Sequence, residues 1–252
     1  RLAKGLAFDD VLLVPQYSDI KSRAEVDIGN QLDSEIDLSL PILSAPMDRV
    51  TESAMANAMS EMGGLGIIHR YNTIDEQLEI VKKVTGIRAC AIPATGDFLD
   101  RAKALVTDGN VRVLCVDIAH AHHIHMKNAL EALKIYFGDN IHLMAGNVAT
   151  LDAFNDLSDW GADSIKVGIG GGSICSTRIL TGHGMPTLQS VYECSKSDRN
   201  TILIADGGIK TSGDMVKALG FGADLVMVGS LLSGTSQAPG DIHYNADGDP
   251  YK

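Results

Sequence analysis

The chain has 252 residues, 45% of them hydrophobic, and a formal net charge of −11. That acidity excludes a surface built for nucleic acid or anionic membranes. It leaves nucleotides open, because glycine-rich loops bind phosphate through backbone amides. No apolar run reaches about 18 residues, so no membrane-spanning helix is expected. The N-terminal RLAKGLAFDDVLLVP carries acids within its apolar part and lacks a small-residue cleavage site, so no secretory leader is expected there. The four cysteines, at 90, 115, 175 and 194, form no CxxC or Cys/His cluster, which points to free thiols in a reducing cytoplasm.

Up to about Asp37 the chain holds few regular signals. Leu12, Leu13 and Val14, stopped by Pro15, are expected as a short strand or cap against a barrel floor. From Leu40 a rhythm begins. Apolar, strand-like runs fall at 41–45, 64–68, 88–92, 111–117, 141–146, 163–168, 201–207 and 224–229. Between them lie helical spacings at 52–62, 74–84, 98–106, 123–136, 152–160, 188–195 and 212–219. Continuous apolar strands separated by helices imply a parallel sheet covered by helices. Such units in this number close into a (β/α)8 TIM barrel, here a single catalytic domain over 1–252; an open doubly wound sheet is the competing topology. After the eighth run, SLLSGTSQAPGDIHYNADGDPYK is too short and too rich in Gly and Pro for a covering helix. The C-terminal part is therefore expected to be missing.

In such barrels the chemistry collects at the C-terminal ends of the strands. The sixth run leads into IKVGIGGGSICSTRILTGHG, with glycines at 168, 170, 171 and 172 ahead of Ser173, Cys175 and Thr177. Glycines at that density let a backbone fold tightly and approach a ligand. A cysteine among hydroxyls just past a strand end suits a nucleophile; a flexible turn with an uninvolved thiol is the plainer alternative. Gly207–Gly208 and Gly229–Ser230 follow the seventh and eighth runs, where backbone amides often form a phosphate site. Asp206 is placed to accept from sugar hydroxyls, or else to cap the next turn. Asp117 ends the fourth run and suits a ribose hydroxyl, or a helix cap. Met47 follows the first run and Asn147 the fifth. Arg70 at a strand end suits either a phosphate or a surface acid. HAHHIH (120–125) is too loosely spaced, and too far from other ligands, to argue for a metal.

These residues resemble one family. GLAFDDVLLVP (5–15), SAPMDRVTE (44–52), GGLGIIHR (63–70), DIAHAH (117–122), AGNVAT (145–150), KVGIGGGSICSTRILTGHG (166–184), IADGGIKTSGD (204–214) and MVGSLLSGTSQAPGD (227–241) are similar, in order, to motifs of the IMP dehydrogenase/GMP reductase family. The resemblance implies a TIM barrel, usually homotetrameric and cytoplasmic, acting at C2 of a purine nucleotide. It implies Cys175 as the nucleophile forming a thioimidate, and Thr177 as the residue that handles water or ammonia. It implies Ser173, Gly207, Gly208, Gly229 and Ser230 as a phosphate cradle, Asp206 as the ribose ligand and Met47 beside the base. Asp117, Asn147, Gly168 and Gly170 fall on the cofactor side, and carbonyls of Gly170, Gly172 and Cys175 match a potassium site. IMP and XMP with NAD are implied for a dehydrogenase; GMP with NADPH for a reductase.

The two branches divide the motifs. DDVLLVP, SAPMDRVTE, GGLGIIH and APGD resemble the dehydrogenases. IKSRAEVD (20–27) and HRY (69–71) resemble the reductases, and no regulatory CBS insert lies between Val84 and Arg88. The dehydrogenase flap, or the reductase glutamate, is expected beyond Lys252. A dehydrogenase is the leading expectation and a GMP reductase the alternative. A non-catalytic nucleotide-binding barrel and a flavin-dependent barrel are lesser ones.

Overall fold

A computed structural model describes residues 5–245 and the backbone of 250–251. A short antiparallel hairpin comes first, β1 (Asn30–Asp33) with β2 (Ile36–Leu38). Eight parallel strands follow: β3 (Ile42–Ser44), β4 (Leu65–Ile68), β5 (Ala89–Ile92), β6 (Val113–Asp117), β7 (His142–Val148), β8 (Ser164–Val167), β9 (Ile202–Asp206) and β10 (Leu225–Val228). Each pairs with the next, and β10 closes on β3 through Val226–Ile42 and Met227–Leu43, so the sheet is a closed barrel rather than an open doubly wound sheet.

The strands read as unbroken apolar runs because both of their faces are covered. In β6, Val113 and Cys115 point into the barrel core with Leu65, Ile67, Met144 and Ile204. Leu114 and Val116 point outward to the helix layer with Leu130, Leu133 and Phe154. The outer helices are α1 (Ser53–Glu61), α2 (Ile74–Lys82), α3 (Phe98–Thr107), α4 (Ile124–Phe137), α5 (Leu151–Asp159), α7 (Thr187–Cys194) and α8 (Ser212–Gly220), each within a few residues of its expected span. Threonines start several of them. Thr73 with Glu76 and Thr211 with Asp214 close capping boxes, and Thr150 accepts from the Ala153 amide.

The N-terminal segment and the loop after β8 depart from expectation, while the stretch after β10 keeps to it. Leu12, Leu13 and Val14 form no strand; Leu12 is 86% exposed, and Leu13 lies at Gly220, the end of α8. The floor is closed by the β1–β2 hairpin, whose Leu32, Ile36 and Leu38 complete the inner core. These strands are short and half polar, so their pattern is weak until the barrel buries one face. A further short helix, α6 (Thr177–Thr181), follows Cys175. After β10 no helix occurs among the described residues. Leu232 and Ala238 from the following turns pack on Met55 and Met59 of α1 instead, and part of that stretch, residues 246–249 and 252, lies outside the described residues.

Candidate active site

The glycine turns set the rim. Gly168 ends β8 at φ +145°, and a Cβ there would stand 1.9 Å from the Asp206 carbonyl oxygen, so this approach of loop to strand admits only glycine. Gly207 and Gly208 follow at φ +93° and +80°. These turns bring Met47, Gly172, Ser173, Asp206, Gly207, Gly208, Gly229 and Ser230 to the lining of one cavity of about 240 Å³. All of these but Gly172, which was expected at a cation site, are residues expected beside a phosphate, a sugar or a base, and they come from strands far apart in sequence.

A second cavity of about 300 Å³ adjoins the first, sharing Ala45, Met47 and Asp206, and is lined by Arg70, Asp117, Asn147 and Lys166. Gly168 does not line it, but its carbonyl accepts from Asn147 Nδ2 at 2.9 Å. Gly170 lies elsewhere: with Gly171, Arg178, Gly184 and Lys210 it lines a further cavity of about 310 Å³, which meets the first at Gly208. Gly170 is thus apart from the other residues expected on the cofactor side.

Cys175 is partly exposed and does not itself line the first cavity; the three residues before it do. Its thiol is held below the ordinary range chiefly by the Thr177 hydroxyl, against a smaller upward push from burial. Backbone groups of Thr177 and Gly170 and the charge of Arg178 add to the lowering. The other three cysteines are buried, and burial pushes Cys115 and Cys194 up to about 12. Cys175 is the one thiol of the four shifted toward the thiolate. The Cys175 amide donates to the Gly172 carbonyl at 3.2 Å. Among the described residues, no three His, Cys, Asp or Glu side chains gather as a metal site.

Neither rim carboxylate is a helix cap. His123 caps α4 and Thr211 caps α8, leaving Asp117 and Asp206 free. Both meet Lys166, a buried lysine at 2% side-chain exposure on β8 that the strand pattern hid. Lys166 Nζ bonds directly to Asp117 and lies 3.8 Å from Asp206. Burial works against its charge, but the carboxylates of Asp117 and, farther off, Asp206 outweigh it and favour the ammonium. Asp206 is pushed up by burial, against the pull of Lys166 and of the Asn147 amide, which donates to it at 2.8 Å. A register shift between Gly146 and Val148 carries β7 past its expected end and aims Asn147 at both partners.

Arg70 faces the rim carboxylate of Asp117 rather than a surface acid. Its Nε is buried without a hydrogen-bond partner, 4.0 Å from Asp117. A lone lysine inside an apolar strand was the available signal for this cluster, because a buried charge needs a partner. The histidines are accounted for locally: His122 pairs with Asp156 at 2.7 Å and packs on Trp160.

The domain family described as IMP dehydrogenase / GMP reductase domain matches residues 5–252. The chain belongs to this family. It is 32% identical to the inosine-5'-monophosphate dehydrogenase of Nitrosopumilus maritimus (strain SCM1), over 95% of the chain and 77% of that protein. It is 36% identical to the GMP reductase of Buchnera aphidicola subsp. Acyrthosiphon pisum, over 94% of the chain and 71% of that protein. The crystal structure of inosine 5' monophosphate dehydrogenase from Legionella pneumophila superposes with a TM-score of 0.92 at 46% identity, covering 98% of this chain and 76% of that one. The IMP dehydrogenase/GMP reductase family thus accounts for the barrel, the glycine–cysteine loop and the turns after β9 and β10 together.

Proposed function

We propose that this chain is an oxidoreductase acting at C2 of a purine nucleotide, as an IMP dehydrogenase converting IMP, NAD and water to XMP and NADH. The carrying observation is the depressed thiol of Cys175 at the end of a glycine loop whose preceding residues line a cavity with the β9 and β10 turns. The likeness to a solved dehydrogenase at 46% identity supports this branch.

The Cys175 thiolate adds to C2 of IMP, whose phosphate sits on the amides of Gly207, Gly208, Gly229 and Ser230 with Ser173, and whose ribose hydroxyls donate to Asp206. Met47 packs beside the base. Loss of hydride from C2 leaves a thioimidate on Cys175. Water, oriented by the Thr177 hydroxyl, adds to C2; the carbon–sulfur bond breaks and XMP departs, returning the thiolate, while the proton lost by the water passes to solvent. The second cavity fits a nicotinamide riboside, since the orphaned Arg70 Nε and the Asn147 and Asp117 side chains offer it a donor and acceptors. Bound NAD supplies the hydride acceptor. Carbonyls of Gly170, Gly172 and Cys175 would hold a potassium ion that stiffens the loop. A cytoplasmic homotetramer, built on a single catalytic barrel without a regulatory insert, belongs to the same reading.

GMP reductase is the second reading, favoured by HRY at 69–71 and by relatives of that name at 36% identity. Two assays separate them. Incubation with IMP and NAD is expected to raise absorbance from NADH, whereas GMP with NADPH is expected to release no ammonia. Ammonia release without NADH formation would reverse the assignment, and nucleotide binding without either reaction would leave a binding barrel.

A further inference from the structure

The motif at 5–15 takes no part in the chemistry above, and the structure puts its first half at the rim. Residues 5–10 run across α7 and α8 as a tied strap. The Leu6 amide donates to Gln189 Oε1 at 3.3 Å, and the Leu6 carbonyl accepts from the Gln189 amide at 3.2 Å. Lys217 Nζ donates to the Phe8 carbonyl at 2.8 Å. The Ala7 amide donates to Asp10 Oδ2 at 2.7 Å, closing the turn that carries Phe8.

These ties press Phe8, 7% exposed, against the turn after β9. Its Cε2 lies 3.7 Å from the point a Cβ on Gly208 would occupy, and the Gly171 carbonyl oxygen lies 3.1 Å from the same point. Phe8 and the Gly171 carbonyl thus flank the side of Gly208 where a Cβ would stand, and Phe8, Gly171 and Gly208 line one cavity of about 310 Å³. Gly207 and Gly208 have no side chains with which to fix their own turn, and both are at positive φ. Amides grip a phosphate well only if they are already aimed when it arrives. We infer that Phe8 is a positioning residue for the phosphate turn: the strap holds the ring, and the ring holds the Gly207–Gly208 amides in their binding orientation. The inference rests on the nucleotide reading proposed above.

The test compares IMP with inosine, which differ only in the phosphate, by titration calorimetry on the 252-residue chain. Phe8→Ala is expected to weaken IMP about tenfold, the scale of one misaligned charge-assisted hydrogen bond, and to leave inosine unchanged. Phe8→Leu, which refills most of the space, is expected to restore most of the IMP affinity. Lys217→Met loosens the strap without opening the core, and is expected to produce a smaller loss of the same kind. It also keeps the test valid should Phe8→Ala fail to fold. Equal losses for IMP and inosine, or none in either Phe8→Ala or Lys217→Met, overturn the inference. Ser173→Ala, which removes a hydroxyl assigned to the phosphate, serves as the reference. If it lowers the preference for IMP while the strap variants do not, only the strap inference falls; if it does not, the phosphate reading falls, and the inference with it.

Discussion

The floor and the rim of this barrel are made of different materials. At the floor, Leu32, Ile36 and Leu38 enter the inner core, and His142 bonds Asp33 at 3.2 Å and Ser164 at 2.8 Å. Side chains fill that end and lock it. At the rim the backbone itself is presented, through Gly207, Gly208 and Gly229, and the carboxylates of Asp117 and Asp206, paired with the buried Lys166, line the cavities. A floor made of side chains tolerates no loss of volume, whereas a rim made of amides and charge tolerates no loss of aim. Substitutions at the two ends should therefore fail differently, the floor in stability and the rim in chemistry.

The strongest break of that contrast lies at the nucleophile. Cys175→Ala is expected to lower kcat by a factor on the order of 10⁴ to 10⁶, with IMP affinity within about threefold of wild type, since the phosphate turns supply the ground-state grip. Steady-state turnover and calorimetry check it, and undiminished turnover would remove the covalent mechanism. Lys166→Met crosses the two categories, because it strands two carboxylates at the rim. A loss of about 3–5 kcal/mol in denaturant unfolding is expected, together with a raised KM, and Lys166→Arg should recover more of both. Stability unchanged in Lys166→Met would mean that the cluster is solvated rather than buried.

The floor gives the cleaner stability signal. Leu32→Ala is expected to cost about 2–5 kcal/mol by leaving a cavity, with kcat within about twofold of wild type. A large fall in kcat at unchanged stability would show that floor and rim are coupled. The smallest effect is a pH effect at the rim. The Thr177 hydroxyl favours the thiolate of Cys175, so Thr177→Val raises that thiol's pKa and lowers the thiolate fraction at neutral pH. Iodoacetamide alkylation at pH 7 is expected to slow by a factor of about 5, the worth of one hydrogen bond of ~1 kcal/mol. The acid limb of the rate profile should move to higher pH. An unmoved profile would mean that the hydroxyl does not reach the sulfur.

Much of this protein was legible in one dimension. Unbroken apolar runs such as VLCVD and LVMV mark strands covered on both faces, and their alternation with amphipathic helices implies a barrel. The glycine–cysteine loop and the glycine pairs after β9 and β10 were visible as motifs, and they do line shared cavities. Leu12–Val14 misled because an apolar triplet stopped by proline looks like a strand; the weaker alternation of β1 and β2 was the true floor. Arg70 was readable only as a strand-end cation, because its partner Asp117 lies far along the chain.

What the sequence determined by itself was periodic and local: strand and helix order, cap residues such as Thr73 and Thr211, and the turns where only glycine fits. What only the tertiary structure decided was which charges meet. Lys166 with Asp117 and Asp206, Asn147 across to Asp206, and Phe8 under Gly208 are pairings between residues distant in the chain. Hydrophobic periodicity is written into every turn and strand, but a buried ion pair exists only once barrel closure has removed the water between its partners.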